Sequence, residues 1–99
     1  MIYCFDIDGT ICNQVSDGDY SKAEPIQHRI KYINELYEKG NEVIFFTARG
    51  TVTKIDWRDL TTNQLQDWNV KYHELIFGKP NADIYVDDKA IKDSNFFNN

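Results

Sequence analysis

The stretch IYCFDIDGT (Ile2–Thr10) starts as an apolar strand and runs into two carboxylates, Asp6 and Asp8, with Gly9 directly behind them. Residues i and i+2 of an extended chain point to the same side, so two like charges so placed repel unless something cationic sits between them. A metal ion, phosphate chemistry, or both together would meet that need.

Outward from this point the chain alternates between helical and strand patterns. Ile11 to Glu24 is polar, with Gly18 and several Ser and Asp residues that mark a loop or small hairpin. Pro25 suits a first helical position, and Ile26, Ile30, Ile33 and Tyr37 recur at helical spacing until Gly40, which predicts an amphipathic helix. EVIFF (Glu42–Phe46) reads as a buried strand ending at Thr47, Ala48, Arg49 and Gly50. Thr61 with Gln64 three residues on fits a capping box, and Leu65 and Trp68 supply an apolar edge, predicting a helix over Thr61 to Asn69. Thr51 to Leu60 is either the first turns of that helix or a loop. ELIFG (Glu74–Gly78) reads as a strand ending at Lys79 and Pro80, and DIYV (Asp83–Val86) as another ending at Asp87 and Asp88. A short last helix follows, then the tail SNFFNN (Ser94–Asn99), which is expected to fray.

Apolar runs this continuous, alternating with helices, describe a three-layer, Rossmann-like α/β domain on a mainly parallel sheet. Such sheets bind ligands beyond the carboxyl ends of their strands. Those ends carry Asp6 and Asp8, Thr47, Lys79, and Asp87 and Asp88, so four segments are expected to converge on one crevice.

The 99 residues read as a single domain, 1–99, with no Pro-, Gly- or Ser-rich divide. Hydrophobic content of 41% with 14% aromatic supports a core. The net charge of −5 argues against wrapping a nucleic-acid backbone, which needs Lys and Arg to neutralise phosphates. Cys4 and Cys12 are too few for a zinc site or a disulfide framework and read as two reduced thiols. No segment approaches the roughly 20 apolar residues of a membrane helix. No basic stretch precedes Ile2, so a cytoplasmic location is expected. So short a chain leaves much surface exposed, which favours a homo-oligomer.

The stretches DIDGT (Asp6–Thr10), FFTAR (Phe45–Arg49), FGKP (Phe77–Pro80) and YVDD (Tyr85–Asp88) resemble, in order, the four motifs of haloacid-dehalogenase-like phosphatases. The resemblance spans nearly the whole chain. It implies a magnesium-dependent phosphomonoesterase in which Asp6 is the nucleophile and forms an aspartyl-phosphate. By the same resemblance Asp8 protonates the leaving alcohol and then deprotonates the attacking water. Asp6, the Asp8 carbonyl and Asp87 would hold Mg²⁺, with Asp88 bound directly or through water. Thr47 would bind a phosphate oxygen, Lys79 would screen Asp6 and the phosphoryl group, and Gly9 and Thr10 would let the backbone turn closely around the phosphate. This chemistry is coherent in itself: phosphoryl transfer is a matter of positioning and charge neutralisation, which carboxylate, metal and lysine supply together.

FGKP and DDKA (Asp87–Ala90) are similar to small phosphatases encoded among capsule and surface-polysaccharide genes, which implies a phosphorylated sugar or small polyol as substrate. Larger members of the family carry a cap domain. Here the first gap, Ile11 to Glu24, holds only a loop or hairpin, and the second, Ala48 to Gly78, is filled by a helix and a strand, so no cap fits. A neighbouring subunit is the expected cover, in a dimer or tetramer with Thr51 to Leu60 near the interface or the crevice mouth.

Other readings stand beside this one. A phospho-acceptor receiver domain uses similar groups, but it resembles an acidic pair that comes first in the chain, whereas here the adjacent pair comes last and Asp8 offers a general acid. An inactive scaffold would be expected to lack one of these residues, and none is missing. Arg49 either clamps substrate or forms a surface ion pair. Thr47 and Asp88 taken alone would be ordinary helix caps. His28 is expected to be exposed, His73 is assigned no function, and Trp57 and Trp68 read as packing residues.

Overall fold

The computed structural model describes residues 1–98. Strands β1 (Ile2–Phe5), β2 (Glu42–Thr47) and β3 (Glu74–Phe77) form a parallel sheet in the order β1-β2-β3. Tyr3 lies opposite Val43, Phe5 opposite Phe45, and Thr47 opposite Phe77. Parallel neighbours need crossovers, and helices α1 (Gln27–Glu38) and α2 (Arg58–Asp67) supply them. The Rossmann-like α/β architecture anticipated from the alternating pattern is present.

The crossovers step in the same direction across the sheet, so right-handed connections carry both helices to one face. Ile30 and Ile33 of α1 and Leu65 of α2 close on Phe5, Val43 and Phe45 in a single core. The alternate side chains point to the other face, where Ile2 is 70% and Ile76 40% exposed and Cys4 is open to solvent. Of the three layers expected, the sheet and one helical layer account for the core among the described residues.

Helix α1 covers most of the stretch its periodicity marked but starts at Gln27, with Ile26 as its N-cap and Pro25 bridged to Cys12 instead of at the first helical position; the positive φ of Gly40 (93°) turns the chain out of it. His73 is structural: its N–H donates to the Val43 carbonyl (2.8 Å), its Nδ1 accepts from the Val43 N–H (3.1 Å), and its ring stacks on Tyr37. His28 is exposed, as expected. Trp68 packs against the core.

Two further sequence expectations fail. Helix α2 starts at Arg58, and Thr61 and Gln64 are buried in its body, so they form no capping box. Three positions apart, they share one face of the helix and bind a side chain from another element instead. The second failure is the DIYV strand: Asp83 to Val86 is exposed irregular chain, with Ile84 at 78% and Val86 at 94% exposure. Local hydrogen bonds win there over pairing. The Tyr85 hydroxyl donates to the Pro80 carbonyl and accepts from the Ala82 N–H, and Asp87 accepts from the Lys89 N–H at 2.9 Å. The aromatic pair after it packs at the β1 side of the core: Phe96, in the four-residue α3 (Asp93–Phe96), meets Tyr3, Phe5 and Tyr32, and Phe97 meets Phe5 and Tyr32.

Among the described residues no helix is long and apolar enough to cross a membrane.

The two thiols lie on opposite sides of the burial divide. Cys12 has no exposure, and burial together with the charge of Asp8 pushes its thiol up to about 12, so it stays protonated and inert. Iodoacetamide at pH 8 should therefore alkylate Cys4 in the folded protein and Cys12 only after denaturation. Mass spectrometry of the native adduct reads this directly, and a doubly labelled native species would contradict the fold at Cys12.

Candidate active site

Beyond the carboxyl end of β1 the chain turns at Gly9, whose φ of +83° suits glycine and whose N–H donates to the Cys12 carbonyl (2.8 Å). The turn leaves Asp6 and Asp8 side by side at a crevice of about 300 Å³, with Lys79 on its wall. Lys79 comes from the end of β3, and its N–H is held by the Thr47 carbonyl at 3.1 Å.

Each carboxylate has its own cation. Lys79 Nζ stands 3.5 Å from Asp6 Oδ1, and Thr10 Oγ1 donates to Asp6 Oδ2 at 3.4 Å. Asp8 is gripped on both oxygens by Arg49: Nε donates to Oδ2 and Nη2 to Oδ1, each at 2.9 Å. Such a bidentate pair is the strong form of this interaction. The Arg49 side chain has no exposure and that of Asp8 only 13%, so removing one partner strands a buried charge and costs about 3–5 kcal/mol.

Arg49 is thus neither a substrate clamp nor half of a surface ion pair. Its remaining donors are also satisfied, with Nη1 on Thr61 Oγ1 (3.0 Å) and Gln64 Oε1 (2.6 Å). This is the side chain that draws Thr61 and Gln64 inward. Tyr20 lies over the guanidinium at 4.6 Å, and Gln64 Nε2 donates to the Tyr20 carbonyl (2.7 Å). Pattern reading missed Tyr20, Thr61 and Gln64 because their common partner is apparent only in the folded chain.

Thr47 is buried, and its hydroxyl accepts from the Arg49 N–H at 3.1 Å, turned into the chain and away from the crevice wall. The rim is built by the loop between β2 and α2, where Val52 and Ile55 are exposed and Trp57 sets its edge on Tyr20. A Cβ on Gly50 (φ +79°) would sit 2.3 Å from the Ile55 carbonyl oxygen, so that loop closes only with glycine there. Trp57 therefore lines the site as well as packing, and Thr51 to Leu60 is a loop leading into the first turn of α2.

The magnesium site implied by the motifs does not assemble in this arrangement. Asp87 and Asp88 are exposed and outside the crevice, and the Asp87 carboxyl is held below its ordinary range by the Lys89 N–H. The Asp8 carbonyl accepts from Gln14 Nε2 at 3.2 Å, and each Asp8 carboxylate oxygen accepts a bond from Arg49. Among the described residues no group of three or more His, Cys, Asp or Glu could hold a metal ion. A second hollow of about 450 Å³ lies between α1 and the end of α2, lined by Ile30, Asn34, Glu35, Glu38 and Trp68, away from the strand ends that carry Asp6, Asp8 and Lys79.

No family model matches the chain, and neither does any curated protein. Among solved structures, a crystal structure of a structural-genomics target from Vibrio cholerae is similar over 97% of this chain and 86% of that one, with 29% identity and a TM-score of 0.87. A chain from a Pnkp1/Rnl/Hen1 complex matches over 88% of this chain but only 30% of its own length, with 20% identity and a TM-score of 0.63. The first likeness supports a small single α/β domain, and the second is one of fold alone.

Burial pushes the Asp6 carboxyl above its ordinary range, and the charge of Asp8 adds to this; Lys79 and the Ile7 N–H offset only part. The folded state then binds the Asp6 proton more tightly than the unfolded chain does. Stability contributed by this group falls as pH rises from the unfolded carboxylate value, about 3.9, through the raised folded value. Asp6→Asn is expected to melt at or above the parent temperature at pH 7, with the difference shrinking as pH falls through that window. Circular-dichroism melts of both proteins across pH check this; a lower-melting variant with a pH-independent gap would contradict it.

Proposed function

We propose that this chain is a phosphomonoesterase of the haloacid-dehalogenase-like type, acting through an aspartyl-phosphate on Asp6. The observation that carries the reading is the meeting of Asp6, Asp8 and Lys79, from two separate strand ends, in one crevice at the carboxyl edge of a parallel sheet.

In the proposed reaction an Asp6 carboxylate oxygen attacks phosphorus in line with the ester oxygen. The new O–P bond forms as the P–O bond to the leaving group breaks, and a proton from Asp8 passes to the departing oxygen. Lys79 neutralises charge on Asp6 and on the phosphoryl oxygens. Water then attacks phosphorus, gives its proton to Asp8, and releases inorganic phosphate and the Asp6 carboxylate. Thr47 is left out of the proposed steps, because its side chain is buried and its hydroxyl accepts from the Arg49 N–H. Magnesium dependence belongs to the proposal through the motif resemblance alone; the donors as arranged do not fit the ion, and no step here runs through it.

A volume of about 300 Å³ is at the low end for ligand sites and suits a small ester, in keeping with a sugar or polyol phosphate made or consumed among capsule genes. A cytoplasmic location accords with such a substrate.

A screen of phosphate esters with free-phosphate detection, run with Mg²⁺ and with EDTA, tests the activity and its metal dependence together. Asp6→Asn should abolish release on every ester that the parent hydrolyses. Asp8→Ala should lose about 10²-fold or more on alkyl esters and far less on 4-nitrophenyl phosphate, whose leaving group needs no proton. Turnover by Asp6→Asn within a few-fold of the parent would end the assignment.

Self-association is proposed as well, supported by the exposed apolar side chains Ile2 and Ile76 on the open sheet face and Val52 and Ile55 at the crevice mouth. Light scattering after size-exclusion chromatography should give the mass of a dimer or tetramer. A monomer at micromolar concentration with full activity would remove the idea of a subunit serving as lid.

A further inference from the structure

We infer that Arg49 is a positioning residue, which holds the Asp8 carboxyl in one orientation and leaves Oδ2 as the oxygen that carries the transferred proton. This rests on the phosphatase reading above and adds to it the group that aims the general acid.

Lone pairs decide which Asp8 oxygen stays free. A carboxylate offers about four acceptor positions, two on each oxygen. Oδ1 accepts from Arg49 Nη2 at 2.9 Å and faces Cys12 Sγ at 3.4 Å. The thiol's other neighbours are farther away: the Ile7 carbonyl at 3.7 Å, and Arg49 Nη2, which donates to the sulfur at 3.9 Å. Both positions on Oδ1 are therefore occupied. Among the described residues Oδ2 accepts only from Arg49 Nε, at 2.9 Å, which leaves one position open. The residual 13% exposure of Asp8 is directed to the crevice that this residue helps to line.

Arg49 can aim Asp8 because it cannot move itself. Thr61 and Gln64 fix Nη1, Tyr20 covers one face of the guanidinium, and the Gln64 bond to the Tyr20 carbonyl ties the first loop to α2. No part of the side chain is exposed, so although Arg49 borders the crevice its guanidinium is spent on Asp8, Thr61 and Gln64 and acts through Asp8. Lysine at this position would keep the charge but not the fork that meets both oxygens.

The test compares phenyl phosphate with 4-nitrophenyl phosphate in the full-length protein carrying Arg49→Lys, Arg49→Ala, Asp8→Ala and the double change Arg49→Lys with Asp8→Ala. Misaimed proton delivery hurts the poorer leaving group more. Arg49→Lys should therefore lose about tenfold more on phenyl phosphate than on 4-nitrophenyl phosphate, and should lose nothing further when added to Asp8→Ala. Millimolar guanidinium chloride should restore part of the phenyl phosphate rate to Arg49→Ala and none to Asp8→Ala. Should Arg49→Ala fail to fold, Arg49→Lys, with its fold checked by circular dichroism, carries the comparison. Equal losses on the two esters, or full additivity with Asp8→Ala, would overturn the positioning role while leaving the phosphatase reading in place. A parent that hydrolyses neither these esters nor any other in the screen would remove both.

Discussion

Two carboxylates at the end of one strand need positive charge beside them, and here the chain supplies a cation for each. The buried Asp8–Arg49 pair is the tighter of the two, and a large part of the structure is arranged around it. Arg49 leaves β2, reaches Asp8 behind β1, and takes Thr61 and Gln64 from α2 and the ring of Tyr20 from the first loop. A guanidinium taken wholly out of water must have every donor met, and meeting them determines how α2 and the first loop sit against the sheet. The order of strands does the rest. Because β1, β2 and β3 advance in one direction, both crossover helices lie on one face, and the core forms there.

This arrangement divides the labour at the crevice. Asp6 keeps a loose cation, Lys79 at 3.5 Å, and stays available to a reacting centre. Asp8 is held rigidly and offers a single open position. Under the proposed phosphatase reading, a nucleophile needs freedom to meet phosphorus in line and a proton donor needs a fixed aim, and the two ion pairs differ in that sense. The Asp6 carboxyl is raised above its ordinary range because it is taken partly out of water.

Much of this was legible in the sequence where the signal is local. The helical spacing of Ile26, Ile30, Ile33 and Tyr37, the run Glu42–Phe46, and the placement of Asp6, Asp8 and Lys79 at strand ends follow from periodicity and from the rule for ligand sites in parallel sheets. Less legible were stretches whose local pattern fits two outcomes. Thr61 and Gln64 carry the spacing of a capping box, and the same spacing places them together on one helix face, where a buried arginine claimed them. Asp83 to Val86 has a strand's composition, but a strand exists only with a neighbour, and the hydrogen bonds of Tyr85 and Asp87 close that segment on itself.

The sequence by itself determined the parallel α/β class, the turn at Gly9 and the pairing of Asp6 with Asp8, because these depend on residues near one another in the chain. Only the tertiary structure decided which cation serves which carboxylate, that Thr47 faces inward, and that Asp87 and Asp88 stay outside the crevice. Those outcomes depend on side chains 41 residues apart for Asp8 and Arg49, and on desolvation. A buried charge takes the partner that the fold brings within reach, and no local pattern specifies that partner in advance.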